Sequence, residues 1–209
     1  MKTTVIGEIG NNHETNEDII KSVAFLRSRG CLVKLQAFEK SQFKHLKDYA
    51  LSKELMKEIK ADDVFYSVFS CEMVDWLEEN VNPRYYKIAS RSYEDGELIK
   101  RVAKTGKRIF MSIPYPRYKY DEPFTYLSCI SSYPALCAHL EILKDFSGFS
   151  DHTTSTVVPA LAVAGGARVI EKHFTIREMN SPDRPHSLLP SQWDEMLSNI
   201  REAEYHFGL

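Results

Sequence analysis

Residues 148–175 read GFSDHTTSTVVPALAVAGGARVIEKHFT. Two histidines, His152 and His173, each follow a short apolar, strand-like run: Gly148-Phe149 before the first, Ala167-Arg168-Val169-Ile170 before the second. The stretch between them, 157–166, is apolar and rich in alanine and glycine, which suits a helix. Strand, helix and strand in that order make a parallel β/α unit. Consecutive strands of such a unit end side by side on one face, so the spacing brings the two imidazoles together. Two imidazoles so placed can share a divalent cation.

Outward from this unit the same alternation fills the chain. Strand-like runs fall at 4–6, 32–35, 64–68, 85–88, 108–111 and 124–129, and amphipathic stretches at 16–28, 49–59, 71–79, 94–104, 135–144 and 190–207. Gly30 and Gly106 fit helix stops, and Pro190 fits a helix start. Eight such runs predict a shortened (β/α)₈ TIM barrel, one domain over residues 1–209. One unit departs from the pattern. Residues 113–123, IPYPRYKYDEP, hold three prolines and are too short for a crossover helix. Helix five is therefore expected to be replaced by an extended loop.

A formal net charge of −2 gives no basic surplus, so nucleic acid is not an expected partner. No apolar run of ~18 residues suggests a membrane span. The first residues turn acidic at Glu8, too early for a secretory signal. Cys31, Cys71, Cys129 and Cys137 show no CxxC spacing, and the expectation is a reduced, cytoplasmic protein.

In a barrel of this class the active site lies at the C-terminal ends of the strands. Polar residues recur there: Glu8, Asn11, Asn12 and His13; Lys34 and Gln36; Lys87 and Ser90; Ser112; Ser131, Ser132 and Tyr133; Ser150, Asp151 and His152; Glu171 and His173. Lys34 and Lys87 interrupt apolar runs, and a lone buried ammonium is costly. An anionic ligand offsets that cost; so does pairing with an acidic neighbour such as Glu8 or Glu171. A lysine of lowered pKa can also form a Schiff base. His45, His139 and His206 read as surface residues. His186 and Asp183 lie in a loop after strand eight that can cover the barrel mouth, and Asp183 is its best candidate for contacting a polar substrate.

Seven motifs run in order across nearly the whole chain: Gly7-Glu8-Ile9-Gly10-Asn11-Asn12-His13, Val33-Lys34-Leu35-Gln36, Tyr86-Lys87-Ile88-Ala89-Ser90, Ala103-Lys104-Thr105-Gly106-Lys107, Ser131-Ser132-Tyr133-Pro134, Ser150-Asp151-His152-Thr153 and Ile170-Glu171-Lys172-His173-Phe174-Thr175. In these the chain resembles the sialic acid synthase (N-acetylneuraminate synthase) family. The resemblance implies condensation of phosphoenolpyruvate with an amino-sugar aldehyde to a nonulosonic (sialic-type) acid, with release of phosphate. It implies a divalent metal on His152 and His173, usually Mn2+, with Mg2+ as the alternative. Lys34, Lys87, Ser90, Ser112, Ser131 and Ser150 are implied to bind the phosphate and carboxylate of phosphoenolpyruvate. Glu8, Tyr133 and Asp183 are implied to contact the sugar, with Glu171 a further site carboxylate. Glu8 and Glu171 are the candidates for handling protons.

The chain also departs from the family pattern. Val68 stands where a phosphate-binding threonine is usual, and Arg91-Ser92 where a glycine and a carboxylate are usual. Ile113-Pro114-Tyr115 replaces Thr-Gly-Met, and Ser128-Cys129-Ile130 replaces His-Cys-Thr. The family's C-terminal antifreeze-like domain is expected to be absent, which leaves a homo-oligomer or a separate partner chain to complete the site. Two other readings stand beside the synthase: a lysine-dependent pyruvate aldolase, and a catalytically degenerate barrel that binds a sugar or a partner.

Overall fold

Parallel strands β1 (Thr4–Glu8), β2 (Leu32–Ala37), β3 (Val64–Val68), β4 (Tyr85–Ile88), β5 (Arg108–Pro114), β6 (Thr125–Cys129), β7 (Gly148–Asp151) and β8 (Val169–His173) close into one barrel in chain order. The structure is a computed structural model and describes residues 2–115, 124–140, 143 and 146–209. This is the expected (β/α)₈ TIM barrel.

Because side chains alternate across a strand, each strand writes two sequences, one for each face. The inward face begins with an apolar plug of Ile6, Phe65, Phe110, Leu127 and Val169, with Leu32 and Tyr85 packed against it. Two residues further along the same strands, the inward positions are Glu8, Lys34, Ser67, Lys87, Ser112, Cys129 and Glu171, all nearly or fully buried. The barrel is thus sealed with hydrocarbon at its N-terminal end and polar above it. The other parity, including Val33, Tyr66, Tyr86, Met111 and Ile170, packs outward into the larger core beneath the helices.

Gly148 shows how tightly the plug is filled. A Cβ at that position would lie 2.2 Å from the Val169 carbonyl oxygen and 2.7 Å from Leu127 Cδ2. A backbone oxygen cannot swing aside, so Gly148→Ala is expected to cost about 1–3 kcal/mol, read as a lowered urea midpoint.

Helices α1 (Asn16–Ser28), α3 (Cys71–Asn80), α4 (Gly96–Ala103), α5 (Val158–Ala164) and α6 (Pro190–Phe207) fall close to their expected places. Thr15 caps α1 in a reciprocal box with Asp18. The charged helix expected over 49–59 is instead two pieces, a 3₁₀ helix at Lys44–Tyr49 and α2 (Lys53–Glu58). Ala50 is extended, and Ser52 restarts the helix by accepting from Leu55 N–H.

The helix expected over 135–144 is not present in the described residues 135–140. His139 takes a left-handed φ of 45°, which no α-helix accommodates. Ala135 N–H is drawn instead to the His152 carbonyl, 2.9 Å away. The loop expected in place of helix five falls largely on residues 116–123, which lie outside the described residues. Strands β5 and β6 on either side of it pair in parallel. Among the described residues no helix is long and apolar enough to cross a membrane.

Candidate active site

A cavity of about 260 Å³ opens at the C-terminal ends of the strands. Its floor is the polar layer above the plug. Lys34 Nζ sits 3.0 Å from Glu8 Oε2 and 3.1 Å from Glu171 Oε1, and donates to Ser67 Oγ at 2.8 Å. Lys87 Nζ sits 3.4 Å from Glu171 Oε2 and donates to Ser112 Oγ at 2.7 Å and to the Ile88 carbonyl at 3.1 Å. Gln36 Nε2 donates to Glu8 Oε1 at 3.0 Å. The two lysines therefore do pair with acidic neighbours, and they do so inside the cavity.

This network pulls the two carboxyls apart. Burial drives Glu8 upward, and its bonds with Lys34 and Gln36 only partly oppose that. Burial also pushes Glu171 upward, but two ammonium groups, Lys34 and Lys87, outweigh it and hold the carboxylate below its ordinary range. Burial lowers Lys34 less than Glu171 and Glu8 raise it, so it stays charged. Lys87 goes down: burial is the larger effect, against Glu171. Lys172, the remaining lysine within a barrel strand near the site, faces the other way. Its Nζ is 2.7 Å from Asp151 Oδ2, and it does not line the cavity.

The imidazoles stand on one wall. His152 and His173 rings are 5.8 Å apart, centre to centre. His152 Nδ1 lies 2.6 Å from the Ile130 carbonyl. A carbonyl only accepts, so Nδ1 carries the hydrogen and Nε2 keeps its lone pair, 3.4 Å from Ser150 Oγ. Burial pushes His152 down to about 4. Burial and the neighbouring His186 and His152 push His173 well below its usual value. Both rings are therefore neutral near pH 7, the form a cation needs. His173 Nδ1 is buried with no hydrogen-bond partner among the described residues. Two neutral rings and an orphaned nitrogen fit the divalent metal the family resemblance implies.

Asp183 reaches the cavity from the loop after β8. Its Oδ2 accepts from Asn11 N at 2.8 Å and Asn11 Nδ2 at 3.2 Å, and lies 3.6 Å from His173 Nδ1. Gly10, at φ +55°, makes room: a Cβ there would stand 2.3 Å from Asp183 Oδ2. Asn12 staples the same loop to β1. Its Nδ2 donates to Phe174 O and Ser187 Oγ, and its Oδ1 accepts from Ser181 Oγ.

Ser90 and Tyr133 meet across the mouth, 3.4 Å between hydroxyls, and the Tyr133 ring lies 4.2 Å from His152. Ser131 is exposed and lies outside the cavity lining. His13 also turns away and packs against Tyr49. Val68 sits in the helix-facing core; Ser67, of the opposite parity, is the cavity residue of that strand. Arg91 lines the mouth with its guanidinium 5.3 Å and 6.0 Å from the Phe43 and Phe69 ring centres. Ser67 was hidden in the sequence, since one serine in VFYSV carries no signal until strand parity is known.

A sequence model of the NeuB family matches residues 15–209. The chain is 28% identical to N,N'-diacetyllegionaminic acid synthase of Campylobacter jejuni, over 99% of this chain and 78% of that protein. It is 30% identical to pseudaminic acid synthase of Helicobacter pylori, over 69% of this chain and 49% of that one. Its fold superposes with a TM-score of 0.90 on N-acetylneuraminic acid (sialic acid) synthetase from Leptospira borgpetersenii, covering 100% of this chain and 86% of that one at 22% identity.

Proposed function

Since this chain belongs to the NeuB family, we propose that it condenses phosphoenolpyruvate with the open-chain aldehyde of an amino sugar, giving a nonulosonic acid and phosphate. The synthases of legionaminic and pseudaminic acid among its relatives support this reaction class. The observation that carries it here is the single cavity shared by two lysines, two carboxyls of opposite pKa shift and a pair of imidazoles.

Carbon three of phosphoenolpyruvate attacks the aldehyde carbon, water adds at carbon two, and phosphate leaves. Lys34 and Lys87 hold the anion and, fixed in a water-poor floor, stabilise charge as it develops. Ser112 and Ser67, already bonded to those ammonium groups, lie within reach of the same oxygens. Ser90, Ser150 and Tyr133 border the space above, and Asp183 presents a carboxylate toward a polar second substrate. His152 and His173 would hold the divalent cation, manganese or magnesium, which when bound supplies Lewis-acid polarisation of a carbonyl oxygen.

Paired carboxyls whose environments separate their pKa values mark an acid–base division of labour. Glu8, raised by burial, keeps its proton closer to neutral pH and is the group that gives and takes it. Glu171 stays ionised and keeps the lysines charged. Glu8→Gln is expected to lower turnover about 10²-fold or more. It should also remove the limb of the pH–rate profile that titrates above the ordinary carboxylate range. An unchanged profile counts against this assignment.

The test of the reaction is phosphate release from phosphoenolpyruvate with manganese and N-acetylmannosamine or related amino sugars. Release that requires both sugar and cation supports the synthase. Binding without release, by folded protein and with every aldose tried, overturns it. Lys87, lowered by burial, is the lysine that keeps an aldolase reading open. Borohydride trapping with pyruvate is expected to leave Lys87 unmodified, and a covalent adduct there would favour the aldolase.

A further inference from the structure

His186 takes no part in the reaction derived above, yet its surroundings are those of a ligand. It closes a 3₁₀ turn, Arg184–His186, in the loop after β8. That loop is fixed. Leu188 N–H donates to the His173 carbonyl at 3.0 Å, Thr175 N–H to the Leu188 carbonyl at 3.0 Å, and Asn12 Nδ2 to Ser187 Oγ at 2.8 Å. These bonds hold the His186 ring 1% exposed. Neither of its nitrogens has a hydrogen-bond partner among the described residues. A buried polar group left unsatisfied is destabilising and rare in native proteins. The ring carries two such nitrogens, at the wall where His173 carries one more.

The geometry around it converges. His186 lies 4.4 Å from the His173 ring and 6.3 Å from the His152 ring, centre to centre. Ligand atoms of His173, Asp183 and His186 lie within 4.8 Å of one another. Asp183 is held in place by Asn11, and no arginine or lysine among the described residues pairs with it.

We propose that His186 is a cation ligand, joining His173 and Asp183 and drawing the His152–His173 pair into a centre of three imidazoles and one carboxylate. The inference rests on the cation reading of that pair and goes beyond it. A third imidazole raises affinity and shifts preference away from manganese and magnesium, which favour oxygen ligands, toward zinc, cobalt and iron.

The test uses the full chain loaded with Mn2+ or Co2+. Pulsed electron paramagnetic resonance of the manganese form counts directly coupled nitrogens, and calorimetry measures affinity in wild type, His186→Ala and His186→Gln. The expected wild-type count is three nitrogens. His186→Ala is expected to bind one cation at least about 10-fold more weakly, with two nitrogens remaining and an altered cobalt absorption spectrum. Zn2+ should displace Mn2+ more readily from wild type than from His186→Gln. A wild-type count of two overturns the inference whether or not the variants fold. So does unchanged affinity in a folded His186→Ala. Either result leaves the synthase reading standing, whereas loss of phosphate release with a three-nitrogen centre intact would strike that reading alone.

Discussion

Lys172→Met is expected to lower the unfolding free energy by about 3–5 kcal/mol, seen as a large drop in urea midpoint. Lys172 is fully buried on the helix-facing side of β8, and its Nζ is 2.7 Å from Asp151 Oδ2. It also donates to the Thr153 carbonyl. Asp151 in turn accepts from Thr153 N at 2.9 Å and Thr153 Oγ1 at 3.2 Å. Removing the ammonium leaves a carboxylate sealed in the core without its counter-ion, which costs far more than the pair itself contributes. The double variant Asp151→Leu/Lys172→Met should recover much of the loss, because two apolar residues leave no orphaned charge. Full stability in the single variant would show that the carboxylate is not sealed in. The pair ties β7 to β8 directly behind His152 and His173, so the single variant should also loosen the imidazole wall.

Lys34→Met is expected to weaken phosphoenolpyruvate binding about 10²-fold, the loss of a charge-assisted contact to an anion. Its Nζ is the hub of the floor, within 3.0 Å of Glu8, 3.1 Å of Glu171 and 2.8 Å of Ser67. Without it two buried carboxyls face each other, and one must take up a proton. Glu171, held down by both lysines, should then titrate higher. The measurements are calorimetric titration with phosphoenolpyruvate and carboxyl titration followed by NMR. Affinity unchanged within twofold would mean that the anion does not rest on this floor.

Much of this was legible in the sequence because strand parity is a strict rule. Once Lys34, Lys87, Glu8 and Glu171 were read as polar residues in apolar strands, the barrel had only its interior in which to place them. The two helices with clear signals, 16–28 and 190–207, lie where expected, the first opened by a capping box and the second by proline. Less regular segments were not legible. The stretch 135–140 has the composition of a helix but is pulled away by the bond from Ala135 to the His152 carbonyl. Ser131 belongs to a family motif yet is exposed, with its hydroxyl 3.8 Å from Cys129 Sγ and outside the cavity lining. His186 looked like a loop residue because its burial depends on Asn12 and Ser187, far apart in sequence. Val68 packs in the helix-facing core, while Ser67, of the opposite parity, lines the cavity, a difference that a position-by-position comparison of motifs does not reveal.

The proposed reaction requires one cavity to seat a cation on His152 and His173 beside an anion on Lys34 and Lys87. Diffraction from crystals soaked in manganese and phosphoenolpyruvate, with data collected at the manganese absorption edge, tests it most directly. The expected result is an anomalous peak within bonding distance of both rings, with phosphoenolpyruvate density against both ammonium groups. A peak elsewhere, or phosphoenolpyruvate bound away from the two lysines, would contradict it.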